Sequence, residues 1–128
     1  MSSVVLDASA LLAVLQDEPG ADVVVQRLPT AVMSAVNYAE VLTSLCRHGR
    51  LTDRQLLDLH NILSDVRPFD DVQALTAARL EPETRSAGLS LGDRACLALA
   101  LSLEAAVLTA DRVWTTLDVG VAIQSIRS

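Results

Sequence analysis

The stretch Val4-Val5-Leu6-Asp7-Ala8-Ser9-Ala10-Leu11-Leu12-Ala13-Val14-Leu15 contains the change of pattern that decides the fold class. Its first three residues form a short, β-branched apolar run that reads as a buried strand. After Asp7 and Ser9 an apolar helical stretch runs to Leu15 and stops at the Asp17-Glu18-Pro19-Gly20 turn. Strand, loop and helix thus follow one another directly, and strands and helices alternate almost throughout the remainder of the chain.

Residues 21 to 28 read as a second, short helix, and Pro29 leads into a strand over Ala31-Val32-Met33. Ser34 is a good cap for a helix whose expected core face carries Ala35, Leu42, Leu45 and Cys46, closing near Gly49. Glu40 falls off that face, among Val36, Asn37, Thr43 and Ser44. Thr52 with Gln55 forms a capping box for a helix to about Ser64, followed by a strand from Val66 to Phe69. Asp70 with Gln73 opens the next helix, which Pro82 ends or kinks near Leu80. A third box, Ser90 with Asp93, opens the most apolar helix, LGDRACLALALSL, and a strand over Ala106 to Thr109 leads to Asp111. A short helix around Trp114 to Leu117 and a strand from Val121 to Ile126 complete the pattern. The expected architecture is one α/β domain over residues 1–128, a three-layer sandwich. Its central, mostly parallel sheet has about four to five strands, with helices on both faces.

Composition narrows the function classes. Of 128 residues 51% are apolar and 20% charged, enough to build a single compact core. Three aromatics, Tyr38, Phe69 and Trp114, are too few for the stacking platforms of many single-strand binders. All ten basic residues are arginine, so chemistry that needs a lysine amine, such as a P-loop or a Schiff base, is excluded. A net charge of -6 argues against unassisted binding to a phosphate backbone. Cys46 and Cys96 lie in apolar helical contexts without a CxxC and read as small buried hydrophobes. The first residues lack a positively charged leader, and Asp7 interrupts their apolar run, so a cytoplasmic chain without a membrane span is expected.

Four acids stand out by position. Asp7 and Asp111 lie just past the carboxyl ends of expected strands, where open α/β sheets bind ligands. Asp93 sits in the first turn of the helix leading into the last of these strands, and Glu40 in the helix after the second strand. Each also has an ordinary alternative role. Asp7 suits a turn or cap, Asp93 the third position of a capping box, Asp111 a cap, and Glu40 solvated helix surface. Crowded carboxylates repel one another, and a divalent cation with oxygen ligands, Mg2+ or Mn2+, is the usual reason to tolerate them. Such an ion also serves phosphodiester hydrolysis in a chain without lysine. Ser9 and Thr109 stand close enough to bond a ligand carboxylate, and Arg94 and Arg112, each following a candidate aspartate, to meet phosphate. His48 and His60 fall on helix surfaces away from these motifs.

The stretches VVLDASALLAVL, SAVNYAEVLTSL, LSLGDRACLALAL and VLTADRVW, in this order, resemble the four acidic motifs of the PIN-domain family, specifically the VapC toxins of bacterial toxin-antitoxin pairs. The resemblance covers essentially the whole chain. It implies a metal-dependent endoribonuclease with Asp7, Glu40, Asp93 and Asp111 as catalytic and metal-binding residues. It further implies one or two Mg2+ or Mn2+ ions, an RNA substrate, a homodimer, and a VapB-like antitoxin that occupies the cleft. Asp118 falls near a place where some members carry a further acid. The competing expectations are an inactive PIN-like or receiver-like interaction module and a DNA flap nuclease.

Overall fold

The structure, a computed structural model, describes residues 2–63 and 65–127. Five strands form one sheet: β1 (Val4–Leu6), β2 (Ala31–Ser34), β3 (Val66–Arg67), β4 (Ala106–Thr109) and β5 (Ile123–Ser125). Their order is β3-β2-β1-β4-β5 and every neighbouring pair is parallel. Among the described residues the helices are α1 (Ala8–Leu15), α2 (Ala21–Arg27), α3 (Ala35–Arg47), α4 (Asp53–Ile62), α5 (Asp71–Arg79), α6 (Glu81–Thr84) and α7 (Leu91–Leu103). The expected α/β sandwich is therefore present, with a wholly parallel sheet.

Side chains of a strand alternate between faces, and the two hydrophobic clusters divide accordingly. Val4 and Leu6 join Met33 and Leu108 under Leu11, Val24, Val41 and Leu59 of α1 to α4. Val5 faces the other way, with Val32 and Val107 against Cys96, Leu97 and Ala100 of α7 and against Trp114. β1 is thus buried on both faces, which its unbroken apolar run requires.

Register sets the rim on which the candidate acids Asp7 and Asp111 stand. Leu6 pairs with Leu108, and the Asp7 amide extends the ladder by donating to the Leu108 carbonyl at 3.3 Å. The chain leaves β1 towards β2 on one side and reaches β4 on the other. A crevice therefore opens at the carboxyl ends of β1 and β4, the place where such sheets bind ligands. The receiver-like alternative has the order 2-1-3-4-5, which differs from this one.

Several expectations need correction in detail. Cys96 is buried but Cys46 is exposed, because the buried stripe of α3 is Asn37, Val41 and Leu45, at intervals of four. Ala35 and Leu42 are only partly buried, and a polar Asn occupies the stripe where an apolar pattern was read. β3 is two residues long rather than four, and β5 spans only Ile123–Ser125. The segment around Trp114 is a 3-10 turn over Arg112–Thr116, and α2 gives way at Leu28 to another. α4 ends at Ile62, and Ser64, its expected limit, lies outside the described residues. No helix among the described residues is long and apolar enough to cross a membrane.

Gly20 seats the start of α2 against Ile126, the residue just after β5. Its φ is +92°, and a Cβ there would stand 2.4 Å from the Ile126 carbonyl oxygen, closer than any atom tolerates. Because both the backbone conformation and the contact oppose a side chain, Gly20→Ala is expected to cost more than about 2 kcal/mol. Thermal unfolding checks this, and a fall of roughly 5 to 10 °C is the expected outcome.

Candidate active site

Asp7 follows β1 immediately, caps α1, and is 5% exposed. Its Oδ1 accepts from the Ala10 amide at 2.9 Å and from the Ser9 hydroxyl at 2.7 Å, and its Oδ2 accepts from the Thr109 hydroxyl at 2.5 Å. Thr109, the last residue of β4, is itself fully buried and accepts from the Asp111 amide at 3.1 Å. Ser9 accepts from the Ala110 amide at 2.9 Å, so strands β1 and β4 are laced together just beyond their paired ends. Both hydroxyls singled out in the sequence stand against the aspartate.

Asp111 caps the 3-10 turn, its Oδ1 accepting from the Val113 amide at 3.0 Å. Asp93 and Ser90 complete the reciprocal capping box of α7, with Asp93 Oδ2 accepting from the Ser90 amide at 2.9 Å. Each of the three aspartates therefore fills its ordinary capping role. All three nevertheless line one cleft of about 340 Å³, together with Glu40, Ala8, Ser9, Leu12 and Trp114. The caps tether the carboxylates, and the fold brings the tethers to one rim.

Two residues that the sequence reading did not single out hold the fourth acid. Asn37 Nδ2 donates to Glu40 Oε1 and to the Gly92 carbonyl, both at 2.9 Å. Gly92 leaves room for the carboxylate, since a Cβ at that position would stand 2.6 Å from Glu40 Oε2. An Asn three residues before a Glu, and a Gly inside a helix, where it is disfavoured relative to Ala, were the available signals.

The remaining candidates lie elsewhere. Arg94 turns away, donating from Nη1 to the Ala77 carbonyl of α5 at 2.9 Å. Arg112 lines a neighbouring cleft with Gly20, Asp22 and Arg127. Asp118 is exposed and is not among the residues lining the carboxylate cleft. The four acids surround the cleft without converging on a point. Among the described residues no three His, Cys, Asp or Glu side chains form a ready ligand set.

Burial dominates the electrostatics, pushing the Asp7 carboxyl up to about 6. Hydrogen bonds from Thr109, Ser9 and Ala10 oppose the rise, and the charge of Asp93 adds to it. Burial likewise pushes the Cys96 thiol well up, with smaller contributions from Asp7, Asp93 and Glu40 across the α7 turn.

Between pH 4 and 6 the unfolded chain has released the Asp7 proton that the folded chain keeps, so stability falls as pH rises through that window and levels above it. A rise from 3.8 to about 6 corresponds to about 3 kcal/mol. Asp7→Asn removes this contribution, so in chelator the variant should gain on the parent by that order between pH 4 and pH 7. Denaturant unfolding at both values measures it, and a difference independent of pH would contradict the account.

The sequence matches the PIN domain family over residues 4–119. No curated protein matches it significantly. Among solved structures it is similar to a toxin-antitoxin complex from Klebsiella pneumoniae, with a TM-score of 0.78 at 15% identity over 98% of this chain and 99% of that one. It is similar to DNA-bound VapBC from Salmonella typhimurium, with a TM-score of 0.75 at 16% identity over 98% and 99% of the two chains. FitAcB from Neisseria gonorrhoeae has a TM-score of 0.75 at 20% identity, over 96% and 97%. These likenesses carry the fold, and the family match, which spans most of the chain together with all four acids, establishes that this protein belongs to the PIN domain family.

Proposed function

We propose that this protein is a VapC-type toxin, a metal-dependent endoribonuclease that hydrolyses RNA phosphodiester bonds and is neutralised by a small VapB-like antitoxin. The shared cleft carries the reading: four carboxylates from separate segments line it, and none of its lining residues is basic. Family membership supports it, since PIN domains are generally nucleases. So does the presence of toxin-antitoxin complexes among the fold neighbours.

The donor set fits a divalent cation. Asp7, Glu40, Asp93 and Asp111 offer only oxygen, which suits Mg2+ or Mn2+, and the charge that burial opposes on Asp7 is the charge a cation would favour. When bound, such an ion supplies an activated water and stabilises charge developing on the phosphodiester. The chain's part is to orient the carboxylates. Thr109 and Ser9 fix Asp7, the Ser90 and Val113 amides fix Asp93 and Asp111, and Leu12 and Trp114 provide an apolar wall.

Cleavage of single-stranded RNA by the purified chain should require Mn2+ or Mg2+ and stop in EDTA. Asp7→Asn should lower the rate by more than about 100-fold, and Gly92→Ala, which displaces Glu40, by about 10-fold or more. Gel analysis of cleavage products measures both, and undiminished cleavage in excess EDTA would refute the reading. A folded parent that neither cleaves RNA nor takes up Mn2+ would favour the inactive interaction module.

The antitoxin part rests on α4, where Leu56 and Leu57 stand exposed, as does Leu51 in the segment that leads into the helix. An apolar helix of the partner would cover them. Co-expression with a neighbouring antitoxin gene should give a complex that co-elutes on size exclusion and suppresses cleavage. Leu57→Asp should weaken that complex by about 10-fold or more without loss of nuclease activity.

A further inference from the structure

We infer that Asn37 is a positioning residue that sets where the Glu40 carboxylate stands relative to Asp93, and thereby the affinity of the cleft for a divalent cation. The inference rests on the metal-dependent reading above. Asn37 is 1% exposed and lies on the buried stripe of α3 with Val41 and Leu45. Its single amide nitrogen bonds Glu40 Oε1 on its own helix and the Gly92 carbonyl on α7, each at 2.9 Å. Gly92 immediately precedes Asp93, so one side chain ties a carboxylate of α3 to the turn of α7 that carries the next.

The other end of the amide points to the same role. Asn37 Oδ1 is buried without a hydrogen-bond partner, an arrangement unfavourable for a side chain whose purpose is packing. Leucine, of similar size, would fill that place without an orphaned acceptor. The gain from asparagine therefore lies at its donor end. Glu40 is itself exposed and long, and an unrestrained carboxylate would lose rotamer freedom on gripping an ion. Clasped between the Asn37 amide and the side-chain-free face of Gly92, it is already held. Outer partners of this kind orient ligands and tune metal affinity.

The test is calorimetric titration of the full chain with Mn2+ alone, for the parent and Asn37→Leu, beside thermal unfolding of both in chelator. The expected result is an Mn2+ Kd weakened by about 10- to 100-fold. The metal-free melting temperature should stay within about 3 °C of the parent or rise, because the orphaned acceptor is gone and Gly92 keeps its helical partner. A role confined to structure would do the reverse, lowering the melting temperature and leaving the Kd unchanged. An unchanged Kd in folded Asn37→Leu, with a parent that binds Mn2+, overturns this inference alone. A parent that fails to bind Mn2+ overturns the metal-dependent reading and this inference together. Should Asn37→Leu not fold, Asn37→Ala also removes the amide and is read against the parent in the same way.

Discussion

Asp7 places an ionisable carboxyl at the end of a strand whose three residues are wholly buried between two hydrophobic clusters. Burial opposes its charge, and the surroundings are arranged to limit that penalty. Thr109 reaches across from β4, Ser9 folds back from the first turn of α1, and the Ala10 amide donates as that helix begins. The same bonds fix the start of α1 and lace β1 to β4, so the rim of the sheet and the chemistry of Asp7 depend on each other. These bonds offset burial only in part, and the carboxyl is left pushed up to about 6.

Helix capping and a place on the cleft coincide in the same residues at this rim. Asp7, Asp93 and Asp111 each bind a backbone amide at the start of a helix or turn, and that bond restrains the carboxylate. A capping residue sits where a helix axis begins, and in a parallel α/β sheet helices begin at the carboxyl ends of strands or face them. Capping chemistry therefore delivers acids to the crevice. Glu40 has no cap to hold it, being in the middle of α3, and the Asn37 and Gly92 arrangement takes that place.

Much of the architecture was legible in local pattern. The switch from a β-branched run to a helical stretch around Asp7, the Ser34 and Ser90 caps and the apolar run of α7 depend on neighbours within a few residues. The phase of α3 was not. Its buried stripe runs through Asn37, and hydrophobicity alone assigned that space to Ala35, Leu42 and Cys46. The stripe is fixed by what α3 packs against, α1 and α7, which lie far away in sequence. Strand lengths erred for a related reason, since edge strands end where their partners do.

Sequence by itself determined the place of most strands and helices, the absence of lysine chemistry and the order of the four acidic motifs, because these follow from residue type and short spacing. Only the tertiary structure decided that β1 lies between β2 and β4, that Asp7, Glu40, Asp93 and Asp111 line one cleft, and that Arg94 and Asp118 do not share it. It also decided the burial of Asp7 and the contact between Glu40 and Gly92, residues fifty-two positions apart. The physical reason is that charge, desolvation and close approach are properties of three-dimensional neighbours. A motif names the carboxylate, and the packing of a parallel sheet fixes its surroundings and its pKa.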